Sequence, residues 1–114
     1  MTKKESGDIL KWFKKNVGLS DWVIDINNTI PPPERNWVGA QVSDLCRETA
    51  TIWIVPELHK GQPGIIADEE HTLFHELIHC FYEDCDIDSS GDRVELCINR
   101  FASVLLKQYR SDCG

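Results

Sequence analysis

The stretch from Asp68 to Glu83 constrains this chain more than any other. Phe74, Leu77, Ile78 and Phe81 recur at helical spacing, so a helix is predicted there with one broad apolar face. Asp68, Glu69 and Glu70 open it, where negative charge suits the helix dipole. Burying the apolar face fixes the helix in rotation. His75 and His79 then stand four positions apart, which on a helix is a turn of about 400°. Both rings leave the same side of the helix, one above the other.

Two imidazoles so placed can bind one metal ion. Glu76 lies beside them and can reach a water on that ion. His75-Glu76-Leu77-Ile78-His79 is therefore an HExxH arrangement, with the histidines as zinc ligands and the glutamate as general base. Catalytic zinc takes three protein ligands and keeps one position open. No histidine follows His79. Glu95 is the expected third ligand, because it opens the next predicted helix and shares a stripe with Asn99 and Ala102. Asp84, Asp86 and Asp88, in the connector between the two helices, are the alternatives. His71 and Tyr82 extend the polar stripe by a turn in each direction; His71 is expected to be exposed.

The rest of the chain supplies a scaffold. A first helix is predicted over about Glu5 to Asn16, from the spacing of Ile9, Leu10, Trp12, Phe13 and Val17, with Gly18 ending it. Three strand-like runs follow, at Trp22 to Ile26, Val38 to Val42 and Thr49 to Val55, the last stopped by Pro56. Pro31-Pro32-Pro33 reads as a stiff connector and Gly61 to Gly64 as a loop. The last helix is predicted over about Asp92 to Tyr109. Helix, three strands and two helices make an α+β fold, and 114 residues make one domain spanning 1–114.

Charge and cysteines narrow the function classes. The net charge is −7, and between Lys60 and Arg93 there are nine acids and no lysine or arginine. Such a body repels phosphate backbones, so no nucleic-acid partner is expected. Five of the seven lysines lie in the first fifteen residues, which reads as a solvated helix face. No apolar run is long enough to span a bilayer, and Met1 to Gly7 lacks the apolar stretch of a secretory signal, so no membrane partner and a cytoplasmic setting are expected. The five cysteines form no CxxC pair and are expected as reduced thiols, with Cys80 and Cys97 in the core and Cys46, Cys85 and Cys113 elsewhere. His59 is expected at the surface.

The run Glu95-Leu96-Cys97-Ile98-Asn99-Arg100-Phe101-Ala102, followed by Leu105-Leu106, resembles the E-x-x-A-N-x-F-A-x-x-L-L signature of the ImmA/IrrE metallopeptidases. The resemblance covers Asp68 to Leu106, about a third of the chain. It implies a minimal zincin-like domain, with His75, His79 and Glu95 as zinc ligands, Glu76 as the base and Asn99 beside the site. It also implies a cytosolic endopeptidase acting on a protein or peptide substrate, which would pair with a free sheet edge at Thr49 to Val55. Ile98 stands where the family has alanine, Lys107-Gln108 where Met-Pro is common, and no helix-turn-helix segment accompanies the domain.

In the expected reaction zinc lowers the pKa of its water toward about 7, far below that of bulk water, and Glu76 moves the proton to the leaving amine. Tyr82, His71 and Arg93 are open candidates to stabilise the oxyanion. Two other functions compete. One is a zinc-holding interaction module with little turnover, against which the presence of Glu76 argues. The other is a calcium-binding helix-loop-helix. Counted from Asp84, acids fall at loop positions 1, 3, 5, 9 and 12, but Ser89 and Gly91 occupy positions 6 and 8, where such loops want glycine and an apolar residue.

Overall fold

The computed structural model describes residues 2–27, 39–44, 48–54 and 69–113. Pro31 to Pro33, Cys46, His59 and Gly61 to Gly64 lie outside them. The chain is a small α+β domain built from three helices and a sheet. In chain order the elements are α1 (Lys3–Asn16), β1 (Val23–Asn27), β2 (Gly39–Asp44), β3 (Thr49–Ile54), α2 (Glu69–Asp84) and α3 (Asp92–Cys113). Among the described residues, no helix is long and apolar enough to cross a membrane.

α1 begins two residues before the predicted Glu5 because Thr2 caps it. The Thr2 hydroxyl accepts the Glu5 N–H at 3.1 Å, satisfying one of the amides a helix start leaves open. Ile9 and Phe13 are fully buried. Gly18 has a different role from the one expected. Leu19, not Gly18, takes the left-handed conformation, with φ 69°. A Cβ on Gly18 would lie 2.9 Å from Cε2 of Phe81, so glycine lets the end of α1 approach α2.

β3 alternates half-buried Thr49, Thr51 and Trp53 with buried Ala50, Ile52 and Ile54, the period of a strand with one face in the core. It pairs in parallel with β1, Val23 opposite Thr49, and antiparallel with β2, Gly39 opposite Ile54. The sheet order β1-β3-β2 corrects one expectation: β3 is central, so it offers no free edge to a substrate strand.

α2 is the central helix, in contact with α1, α3, β2 and β3. Leu73, Phe74, Leu77, Ile78 and Cys80 are fully buried, each large side chain stabilising the fold by about 1.5–3 kcal/mol through the area it removes from water. α3 lays Ile98, Ala102 and Leu106 against it at intervals of four. α3 runs four residues past the predicted Tyr109, because its last turn is tied down: Asp112 accepts from Trp12 Nε1 at 3.0 Å and from Gln108 at 2.9 Å. Trp12 also stacks edge-on against Phe74 and Tyr109, joining the two ends of the chain.

Candidate metal centre

Rotation of α2 is set by its buried residues, and it leaves His75 and His79 on the side facing α3. Their rings meet edge to face, with centroids 4.9 Å apart. The two Nε2 atoms are 3.1 Å from each other. Glu95, in the first turn of α3, closes the triangle: its Oε2 is 2.9 Å from Nε2 of His75 and its Oε1 is 2.9 Å from Nε2 of His79. The expected ligand atoms of His75, His79 and Glu95 thus lie together, and they form the one such group of three or more metal-ligating side chains among the described residues.

The outer atoms of the rings are also engaged. His75 Nδ1 donates to Asn99 Oδ1 at 2.8 Å. An amide oxygen only accepts, so the proton is on Nδ1 and the Nε2 lone pair faces inward. His79 Nδ1 lies 2.9 Å from the Ser89 hydroxyl. Lone pairs of two imidazoles and a carboxylate converging on one point repel one another unless a cation or protons lie between them. Burial, opposed by the Glu95 charge, holds the His75 pKa below its ordinary value, which disfavours the proton solution there.

The donor set fits zinc. Tetrahedral zinc with bonds of about 2.0–2.1 Å needs its ligand atoms about 3.3 Å apart, a few tenths wider than the separations here. The histidine side chains are 14% and 13% exposed and that of Glu95 is 43%, so the triangle opens to solvent past the carboxylate. An open side is what a catalytic centre requires and a structural one does not.

Glu76 is 8% exposed. Among the described residues its carboxylate has no hydrogen-bond partner. Burial, with the Glu95 charge adding to it, pushes its pKa up to about 8. A buried acid without a partner among the described residues is unusual, and beside three side chains that could hold a metal ion it is a candidate proton-handling group.

Other expectations are corrected. His71 is buried rather than exposed. Its Nε2 is 3.1 Å from both the Asn99 carbonyl and the Ser103 hydroxyl, so it braces α2 on α3. Cys80 is in the core as expected, but Cys97 is exposed, because α3 turns Ile98 inward instead. Among the described residues the connector acids do not converge into a ligand group. Asp84 accepts from Trp22 Nε1 at 3.0 Å, Asp88 accepts from the Ser90 amide and hydroxyl, and Glu95, last in the calcium count, faces the histidines. Tyr82 is half-buried against Phe81, and Arg93 is exposed. Ser89 was the residue that sequence reasoning missed. The signal for it is chemical: a ligating histidine needs a partner for its second nitrogen, and a connector returning past His79 is where to seek one.

Comparison with family models, with curated proteins and with solved structures gives no match to this chain. Its function is therefore read from the geometry of His75, Glu76, His79 and Glu95.

Proposed function

We propose that this chain is a zinc-dependent endopeptidase of minimal zincin architecture, hydrolysing a peptide bond in a cytosolic protein. The observation that carries the reading is the buried carboxylate of Glu76, without a hydrogen-bond partner among the described residues, beside three candidate ligand side chains that converge to within 3.1 Å. A purely structural site has no use for such a group.

His75, His79 and Glu95 would hold the ion. When bound, zinc supplies Lewis acidity toward the peptide carbonyl and acidifies water. Glu76 would accept a proton from a water in the cleft and pass it to the leaving amine. Its pKa, raised by burial in the chain without metal, falls once a cation sits beside it, which suits a base at neutral pH. His71, held by Asn99 and Ser103, is the weakest of the three oxyanion candidates, and Tyr82 and Arg93 stand ahead of it. A substrate strand would add along β2, which has β3 as its one strand neighbour among the described residues and which α2 contacts.

The test is elemental analysis of the purified protein, with hydrolysis of an unstructured protein measured on the same samples. About one zinc per chain is expected, lost in His75→Ala and Glu95→Ala, with hydrolysis lost in Glu76→Gln although zinc stays. Zinc without hydrolysis in the unaltered protein would favour the interaction module. Calcium in place of zinc would sink the reading.

A further inference from the structure

The α2–α3 connector joins the two helices that carry the three candidate ligand side chains. Its geometry gives it a second role. α2 ends in a hydrogen-bonded reversal: the Ile87 N–H donates to the Tyr82 carbonyl at 2.8 Å and the Asp86 N–H to the Glu83 carbonyl at 3.0 Å. Asp86 sits in the left-handed region, at φ 60°. These are the two bonds and the one left-handed residue of a Schellman motif, and aspartate tolerates that conformation better than most residues. The reversal sends the chain back along the last turns of α2 instead of away from it.

Two serines come next. The Ser90 amide and hydroxyl both donate to Asp88 Oδ1, at 2.9 and 2.7 Å. That leaves Ser90 committed within the loop. Ser89 is turned the other way, with its hydroxyl 2.9 Å from His79 Nδ1. The two histidines are therefore oriented from different elements, His75 by Asn99 on α3 and His79 by the connector.

We infer that Ser89 is the positioning residue for His79: its hydroxyl oxygen accepts the Nδ1–H and so keeps the Nε2 lone pair aimed at the point shared with His75 and Glu95. The opposite polarity, with the serine donating, would put the ring proton on Nε2, where it would block a metal bond. The inference rests on the zinc reading above. It adds that the connector is part of the metal site, so that whatever distorts the connector loosens the ion.

The experiment is a competition titration of zinc against a chromophoric chelator, with the full chain as wild type, Ser89→Ala and Ser89→Thr. Nitrogen-15 spectra of the histidine rings are recorded on the zinc-loaded samples. Ser89→Ala is expected to weaken zinc binding by roughly 10–100-fold, the usual effect of losing an outer partner of a ligand. Ser89→Thr is expected to restore most of it. The His79 Nδ1–H signal should be slow to exchange in wild type and fast in Ser89→Ala, a change that a merely structural serine would not produce. Tight binding by wild type and equally tight binding by Ser89→Ala would overturn the inference and leave the zinc site standing. Weaker binding with an unchanged His79 signal would overturn it too. No binding by wild type would remove the zinc reading, and this inference with it.

Discussion

Asn99 holds two histidines at once: its side-chain oxygen is 2.8 Å from Nδ1 of His75, and its main-chain carbonyl is 3.1 Å from Nε2 of His71. The two bonds are separable by mutation. Asn99→Ala removes the first and keeps the second, so the packing of α2 on α3 survives while His75 loses the partner that fixes its tautomer. Zinc affinity is expected to fall by roughly 10–100-fold, with little change in the melting temperature of the metal-free protein. A chelator titration and a thermal melt, run on the same preparation, check both halves of the prediction.

Glu76 predicts a pH dependence with a definite sign. Its pKa is raised from about 4.5 to about 8 in the folded chain without metal. The folded state therefore holds its proton more tightly than the unfolded state does. That contribution is fully present below about pH 4.5 and is lost as pH rises through about 8. Denaturant melts of the chelator-treated protein should show stability declining by a few kcal/mol across this window. Glu76→Gln cannot ionise and should lack that decline. A wild-type profile that coincides with that of Glu76→Gln would show that Glu76 is not buried as an acid.

Much of the site was legible in the sequence because it depends on period. His75, Glu76 and His79 follow from α2, and an acid one turn into the next helix is a natural third ligand. The structure brings His75, His79 and Glu95 together, and Glu76 is buried one residue along α2 from His75. Less visible were features set by how elements meet. The buried state of His71 follows from α3 lying across that end of α2, which the helix pattern of α2 alone does not contain. Cys97 points outward because Ile98 and Ala102 fix the rotation of α3. The central place of β3 depends on pairing between distant strands, and strand order leaves no mark on a local pattern. Thr2-x-x-Glu5 did carry a capping signal for the true start of α1.

Gly18 tests the contact between the first and second helices. Its φ needs no glycine, but a Cβ would lie 2.9 and 3.0 Å from two ring carbons of Phe81. Phe81 must move to admit it, and Phe81 sits in the last turns of α2, next to the reversal that carries Ser89. Gly18→Ala should destabilise the fold by about 1–3 kcal/mol, as inserting an atom into a packed contact does. Pairing it with Phe81→Leu, which makes room, should recover part of the loss. The measurement is a double-mutant cycle in urea, and strictly additive effects would show that the contact is not formed.

Gly91 makes the corresponding demand on the other side of the site. It stands immediately before α3 at φ 108°, a backbone conformation that side-chain-bearing residues rarely adopt, and no atom crowds the position of a Cβ there. The constraint is thus conformational rather than steric packing. Its carbonyl accepts the Glu95 N–H at 3.0 Å, so the residue that precedes α3 also holds the backbone of Glu95, the proposed third ligand. Gly91→Ala should cost about 1–3 kcal/mol of stability from strain at this residue. If the chain relaxes instead by changing φ, Glu95 shifts relative to His75 and His79, and zinc affinity falls while stability is spared. Melting and zinc titration together separate the two responses. An alanine variant unchanged in both would mean that the turn before α3 does not set the position of Glu95.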